Sequence, residues 1–308
     1  QGFDESAAAL EQSLAGRARA FDDIVKAGRT HLQDAMPIRL GQEFAAYAGT
    51  VARSRQRLAR ALDDLRDLGI GGTAVGTGVN TEPGYPARVV QQLRTDTGLA
   101  VREGADRVQL MQSMGDVAAF HAMLRVFAAD VSKIASDLRL LASGPRTGLD
   151  EIRLPAVQPG SSIMPGKVNP SIPEMVNQVC LQVLGNDATV SAAAAQGELE
   201  LNVMMPVIAH NVLFSVTILG NALRVLAERC VDGIEANREQ AAYWVERSAA
   251  LATALAPVIG YAKAAELAKR SVAEGVLIRD LATRERVLPP EDLARLLDLD
   301  RLTRESEP

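Results

Sequence analysis

Four long stretches of this chain place apolar residues every three or four positions: about Leu40 to Leu68, Gln109 to Ser143, Val176 to Ala195, and Val203 to Ala227. That is the period of an α-helix, and a succession of such helices folds most simply as a bundle. Their apolar faces are wider than a single core contact requires, as happens when a bundle is also buried against further subunits. A homotetramer is therefore expected. Aromatic residues make up only 4% of the chain, so the core must be filled by Ala, Leu and Val, which also favour helix. The fold class expected is all-α.

Shorter helical patterns cover Glu5 to Lys26 and Tyr85 to Thr97, whereas Arg29 to Pro37 breaks the period. The first pattern is already under way at the start of the sequence, so the chain is expected to begin inside a domain. From Ile234 the patterns shorten and charge density rises. The expected division is a central bundle over residues 1–233, lacking its N-terminal part, and a small helical domain over residues 234–308.

Charge excludes one class of partner. Lys and Arg total 33 against 38 Asp and Glu, and no basic cluster is interleaved with aromatics, so nucleic acid is not expected. No apolar run approaches the roughly 20 residues of a bilayer span, so no membrane is expected either. The two cysteines, Cys180 and Cys230, lie in helical patterns without metal-type spacing, which fits a reducing cytoplasm. The stretch Gly69 to Asn80 carries five glycines but lacks the Lys-Ser/Thr of a phosphate loop.

Chemistry concentrates in Gly160-Ser-Ser-Ile-Met-Pro-Gly-Lys-Val-Asn-Pro170. Ser171-Ile-Pro-Glu174 then has capping-box spacing, which predicts a helix N-terminus facing that loop, with Ser171 as N-cap. Such an end, with Lys167 and Asn169 beside it, suits an anion. The same residues also suit a solvated Gly/Pro-rich connector. The spacing fits both.

The loop resembles the G-S-S-x-M-P-x-K-x-N signature of the fumarase/aspartase superfamily. Gly28-Arg-Thr-His-Leu-Gln-Asp-Ala35 looks like the threonine-histidine segment of that family. Gly72-Thr-Ala-Val-Gly-Thr-Gly78, Ser143-Gly-Pro-Arg146 with Glu151-Ile152, Gly185-Asn-Asp187 and Glu200-Leu-Asn-Val203 also resemble it. The resemblance implies a long-helix bundle, reversible anti β-elimination to fumarate, and no metal or organic cofactor. It makes Ser161 the catalytic base, with Ser162, Lys167 and Asn169 binding a small dicarboxylate. Thr30 and His31 would hold its other carboxylate; His31 and Glu174 would also be catalytic, the histidine paired with Glu174 handling the water molecule in the fumarase version, while Glu174 caps its helix as well. His121 and His210 fall outside the family motifs and are expected to be packing or interface residues.

Flanking residues divide the substrate choice. Pro173-Glu-Met-Val-Asn-Gln-Val-Cys180, Asn80-Thr-Glu-Pro-Gly-Tyr85 and Asp137-Leu-Arg-Leu-Leu141 look like aspartate ammonia-lyases. Gly166 and Gly197-Glu-Leu-Glu200 look like class II fumarases. Aspartate is the expected substrate and malate the alternative. Family members carry a further N-terminal domain and an S-G-T-S-x-N-M-N-type segment that this sequence lacks. A second alternative is therefore a catalytically inactive helical oligomerisation module.

Overall fold

The computed structural model describes residues 2–304. Among these residues there are thirteen α-helices and three two-stranded sheets. The all-α, long-helix bundle expectation holds. The chain divides into two compact units. Unit 1 is Gln1–Glu11, Gly49–Asp137 and Val157–Arg229; unit 2 is Gln12–Ala48, Leu138–Ala156 and Cys230–Pro308.

Helix α1 spans Gly2–Ala20, opening on Asp4 and Glu5 and closing on Arg17 and Arg19, each placed to offset the helix dipole. After it come strands β1 (Val25–Thr30) and β2 (Gln33–Arg39), paired antiparallel. Helix α2 (Leu40–Asp64) buries Leu40, Phe44, Tyr47, Val51 and Leu58 along one stripe. Strand β3 (Asp67–Leu68) runs parallel to β4 (Arg102–Glu103), and between them α3 covers Tyr85–Thr97 as the periodicity predicts. Left-handed glycines bound α3, Gly84 before it and Gly98 closing it onto the Arg94 carbonyl.

The expected helix from Gln109 to Ser143 is instead two, α4 (Arg107–Gln112) and α5 (Gly115–Leu141). Ser113 turns extended and its hydroxyl accepts the Gly115 N–H, a local bond that competes with the helical ladder. Helices α6 (Ser171–Ala194) and α7 (Met205–Arg229) pack along each other in unit 1. Together with the 3-10 turn after it, α7 forms a Met205–Gly233 span that is long and apolar enough to cross a bilayer. By length and composition that corrects the expectation that no apolar run approaches a bilayer span; Ile208, Leu219, Leu223 and Leu226 of this helix are buried in the protein.

One polar junction lies inside unit 1. His121 of α5 is fully buried, with Nδ1 2.9 Å from Asp187 Oδ1 and Nε2 3.0 Å from the Ser215 hydroxyl, which also accepts from the Asn186 amide. His121 is thus a packed residue, as expected from its position, while His210 is exposed and stacks on Phe214.

In unit 2, β5 (Ile152–Arg153) pairs antiparallel with β6 (Glu235–Ala236), followed by α8 (Arg238–Arg247). A 3-10 segment (Ala249–Leu255) leads into α9 (Ala256–Ile259), α10 (Tyr261–Glu274), α11 (Ile278–Arg284), α12 (Pro290–Leu296) and α13 (Leu299–Leu302). Leu251, Leu255, Leu267, Ile278, Leu281 and Leu297 form their shared core.

Candidate active site

The Ser161 loop belongs to unit 1. Gly160 opens it, and a Cβ there would lie 2.0 Å from the Lys167 carbonyl oxygen, so only glycine allows the two ends to approach. Asn169 closes the loop by donating its amide N–H to the Gly160 carbonyl at 2.7 Å. Within this clasp, Ser161 Oγ accepts the backbone N–H groups of both Ile163 and Met164, each at 3.1 Å. Two donors aimed at one hydroxyl oxygen favour its anionic form. Ser162 and Lys167 are exposed, and Lys167 has no ion-pair partner among the described residues.

The loop leads directly into α6, whose first turn holds Pro173 and Glu174. The capping box expected here does not form. Ser171 is the first helical residue, and its hydroxyl accepts from Gln158 Nε2 at 2.8 Å. The exposed Glu174 carboxylate accepts from Gln178 one turn on, at 3.2 Å, in place of the N-terminal N–H. Pro170 precedes the helix without a side-chain cap; in the first turn the Ser171 N–H goes to the Asn169 carbonyl and the Glu174 N–H to the Pro170 carbonyl, and Pro173 has none.

Thr30 and His31 belong to unit 2. They sit where β1 turns into β2, a hairpin in the segment that sequence periodicity left without structure. Thr30 pairs with Gln33, leaving His31 (φ 51) and Leu32 (φ 61) as a two-residue turn with both residues left-handed. Non-glycine residues with such angles carry strain, and strain of this kind gathers at functional sites. Both Thr30 and His31 are exposed. Leu32, Gln33 and Asp34 line a groove of about 690 Å³ with Thr253, Tyr261 and Ala264.

Three charged residues, Lys26 and Glu151 buried and Arg29 half-buried, were given no role in the sequence reading, although Arg29 and Glu151 fall within its family-like stretches. Glu151 lies 122 residues from Arg29, so no local spacing announces the contact. No group of three or more His, Cys, Asp or Glu suited to a metal occurs among the described residues.

Residues 5–185 match the family described as Lyase, and residues 251–304 the one described as Fumarase C C-terminus. Aspartate ammonia-lyase of Bacillus subtilis is 46% identical over 289 residues, covering 94% of this chain and 61% of that protein. Fumarate hydratase class II of Ralstonia nicotianae is 47% identical over 274 residues, 89% of this chain and 59% of that one. Among solved structures, a fumarate lyase:delta crystallin from Brucella melitensis, bound to cobalt, superposes with a TM-score of 0.94 at 47% identity. It matches 99% of this chain and 66% of that chain. Recombinant class II fumarase from Schistosoma mansoni gives 0.91 at 34% identity, with 96% and 65% covered. The chain thus spans about three-fifths of the length of the curated relatives it matches.

Proposed function

We propose, from the premise that this chain belongs to the lyase family of the fumarases and aspartate ammonia-lyases, that it eliminates ammonia from L-aspartate to give fumarate. The observation that carries the chemistry is the pair of backbone N–H groups on Ser161 Oγ. In this reading Ser161 acts as the base and removes a proton from the carbon next to the one bearing the ammonium group. The electron pair is held transiently on the adjacent carboxylate, then forms the new double bond as the carbon–nitrogen bond breaks and ammonia leaves.

The intermediate carries two negative charges on one carboxylate, and its stabilisation is the main task of the site. Lys167, Asn169 and the uncapped α6 N-terminus supply positive potential beside Ser161. Ser162 contributes a hydroxyl. Thr30 and His31 hold the second carboxylate, with Glu174 partnering His31.

Exposed apolar residues on α6 and α7, such as Leu181, Leu213 and Phe214, support burial of these helices against further copies of the chain. The assembly proposed is a cytoplasmic homotetramer whose sites draw on more than one subunit. A second substrate reading has its own support. The matched fumarate hydratase is as similar as the matched aspartate ammonia-lyase. The full-length protein is assayed by the ultraviolet absorbance of fumarate, with L-aspartate and L-malate in separate reactions. Turnover of aspartate alone is the expected result. Turnover of malate alone makes the protein a fumarase, and turnover of neither favours the inactive helical module.

A further inference from the structure

Lys26 is 1% exposed and Glu151 0%. Lys26 Nζ lies 3.0 Å from Glu43 Oε1 and 3.2 Å from Glu151 Oε2. Arg29 Nη1 donates to both oxygens of Glu151, at 3.0 and 3.1 Å. One carboxylate therefore sits between two cations that come from the same strand, three positions apart.

The strand is interrupted between those two cations. Ala27 pairs with Pro37 and Arg29 with Asp34, so Ala35 and Met36 of β2 face the single residue Gly28. This bulge separates the turn from the base of the hairpin, and beyond it only the Arg29–Asp34 and Thr30–Gln33 pairs carry Thr30 and His31. Gly28 cannot be replaced, because a Cβ there would lie 2.4 Å from the Met36 carbonyl oxygen.

Glu151 is itself fixed from outside the hairpin. Its N–H donates to the Leu141 carbonyl and its carbonyl accepts from the Asn237 N–H, both at 2.9 Å. Its carboxylate grips Lys26 before the bulge and Arg29 after it, adjacent to Thr30. Two left-handed residues persist in a turn only where their surroundings over-determine them. This ion cluster is the rigid support that the two remaining ladder pairs do not supply.

We propose that Glu151 is a positioning residue for substrate binding, which sets the orientation of the Thr30–His31 turn through Arg29. The proposal rests on the reading of Thr30 and His31 as carboxylate-binding groups.

The test uses the full-length protein and two readouts, steady-state turnover and calorimetric titration with succinate, a dicarboxylate that cannot eliminate. Glu151→Gln removes a counter-ion from the buried Lys26 and can unfold unit 2. Arg29→Gln, at a side chain 15% exposed, therefore carries the comparison. Its expected effect is a KM and a succinate Kd raised roughly 10- to 100-fold, the size of a lost hydrogen bond to a charged carboxylate. The kcat and the circular dichroism spectrum stay close to wild type, and Arg29→Lys recovers most of the loss. Unchanged KM and Kd in folded Arg29→Gln overturn the proposal and leave the cluster a purely structural one. A wild-type protein that turns over neither substrate but binds succinate sinks the catalytic reading alone, and the proposal is then decided by the succinate Kd. Wild-type protein that does not bind succinate overturns both.

Discussion

Ser161 is an ordinary hydroxyl in an extraordinary electrostatic setting, and the consequence is measurable. Substitution Ser161→Ala is expected to lower kcat by about 10²- to 10⁴-fold, the range for loss of a positioned base. The circular dichroism spectrum should be unaltered, since the side chain lies on an exposed loop and bonds only within it. The cysteines show the opposite response to their surroundings. Burial pushes both thiols up to about 12, because the thiolate loses its hydration. The folded state therefore holds these protons more tightly than the unfolded chain. Any stability linked to them is intact below the ordinary thiol value of 9.0 and falls as pH rises from there. Native protein at pH near 8 is expected to resist alkylation at Cys180 and Cys230, while denatured protein reacts at both; mass spectrometry of the two samples checks this.

Between elements, the decisive contacts are made by residues with little individual signal in the sequence. Asn202 is fully buried between α6 and α7. Its amide nitrogen donates to the Ala193 and Ala194 carbonyls and its oxygen accepts the Met204 N–H, so one side chain satisfies the end of one helix and the start of the next. Asn202→Ala is expected to cost at least about 2 kcal/mol through the buried groups left unpaired, read as a lower denaturant midpoint. Periodicity revealed α3, α6 and α7 because their stripes are long and uninterrupted. The hairpin escaped it because its turn is His31-Leu32, with no Asn-Gly or Asp-Gly to mark two left-handed positions. The capping box at Ser171 failed for a related reason. A sequence spacing offers a bond, and here Gln158 and Gln178 took the side chains that the box required. The Ser161 loop was legible because its chemistry is contiguous, whereas the ion cluster of Glu151 was not, since its partners Lys26 and Arg29 are distant in sequence.

For the assembled molecule, the proposal that sites draw on several subunits makes its own prediction. Ser161→Ala and His31→Ala are each expected to be inactive alone. Unfolded together and refolded as mixed tetramers, they should regain about a quarter of wild-type activity, if each site takes these residues from different chains in random combination. Continued inactivity of the refolded mixture would place both residues of a site on one chain. One further consequence follows from the Asn169–Gly160 bond. A free loop of ten residues would surrender its conformational freedom each time substrate bound. Tied at its base by the Asn169–Gly160 bond, it has already surrendered much of that freedom during folding. An amide far smaller than any domain thus decides whether the cost of order is met once per protein lifetime or once per turnover.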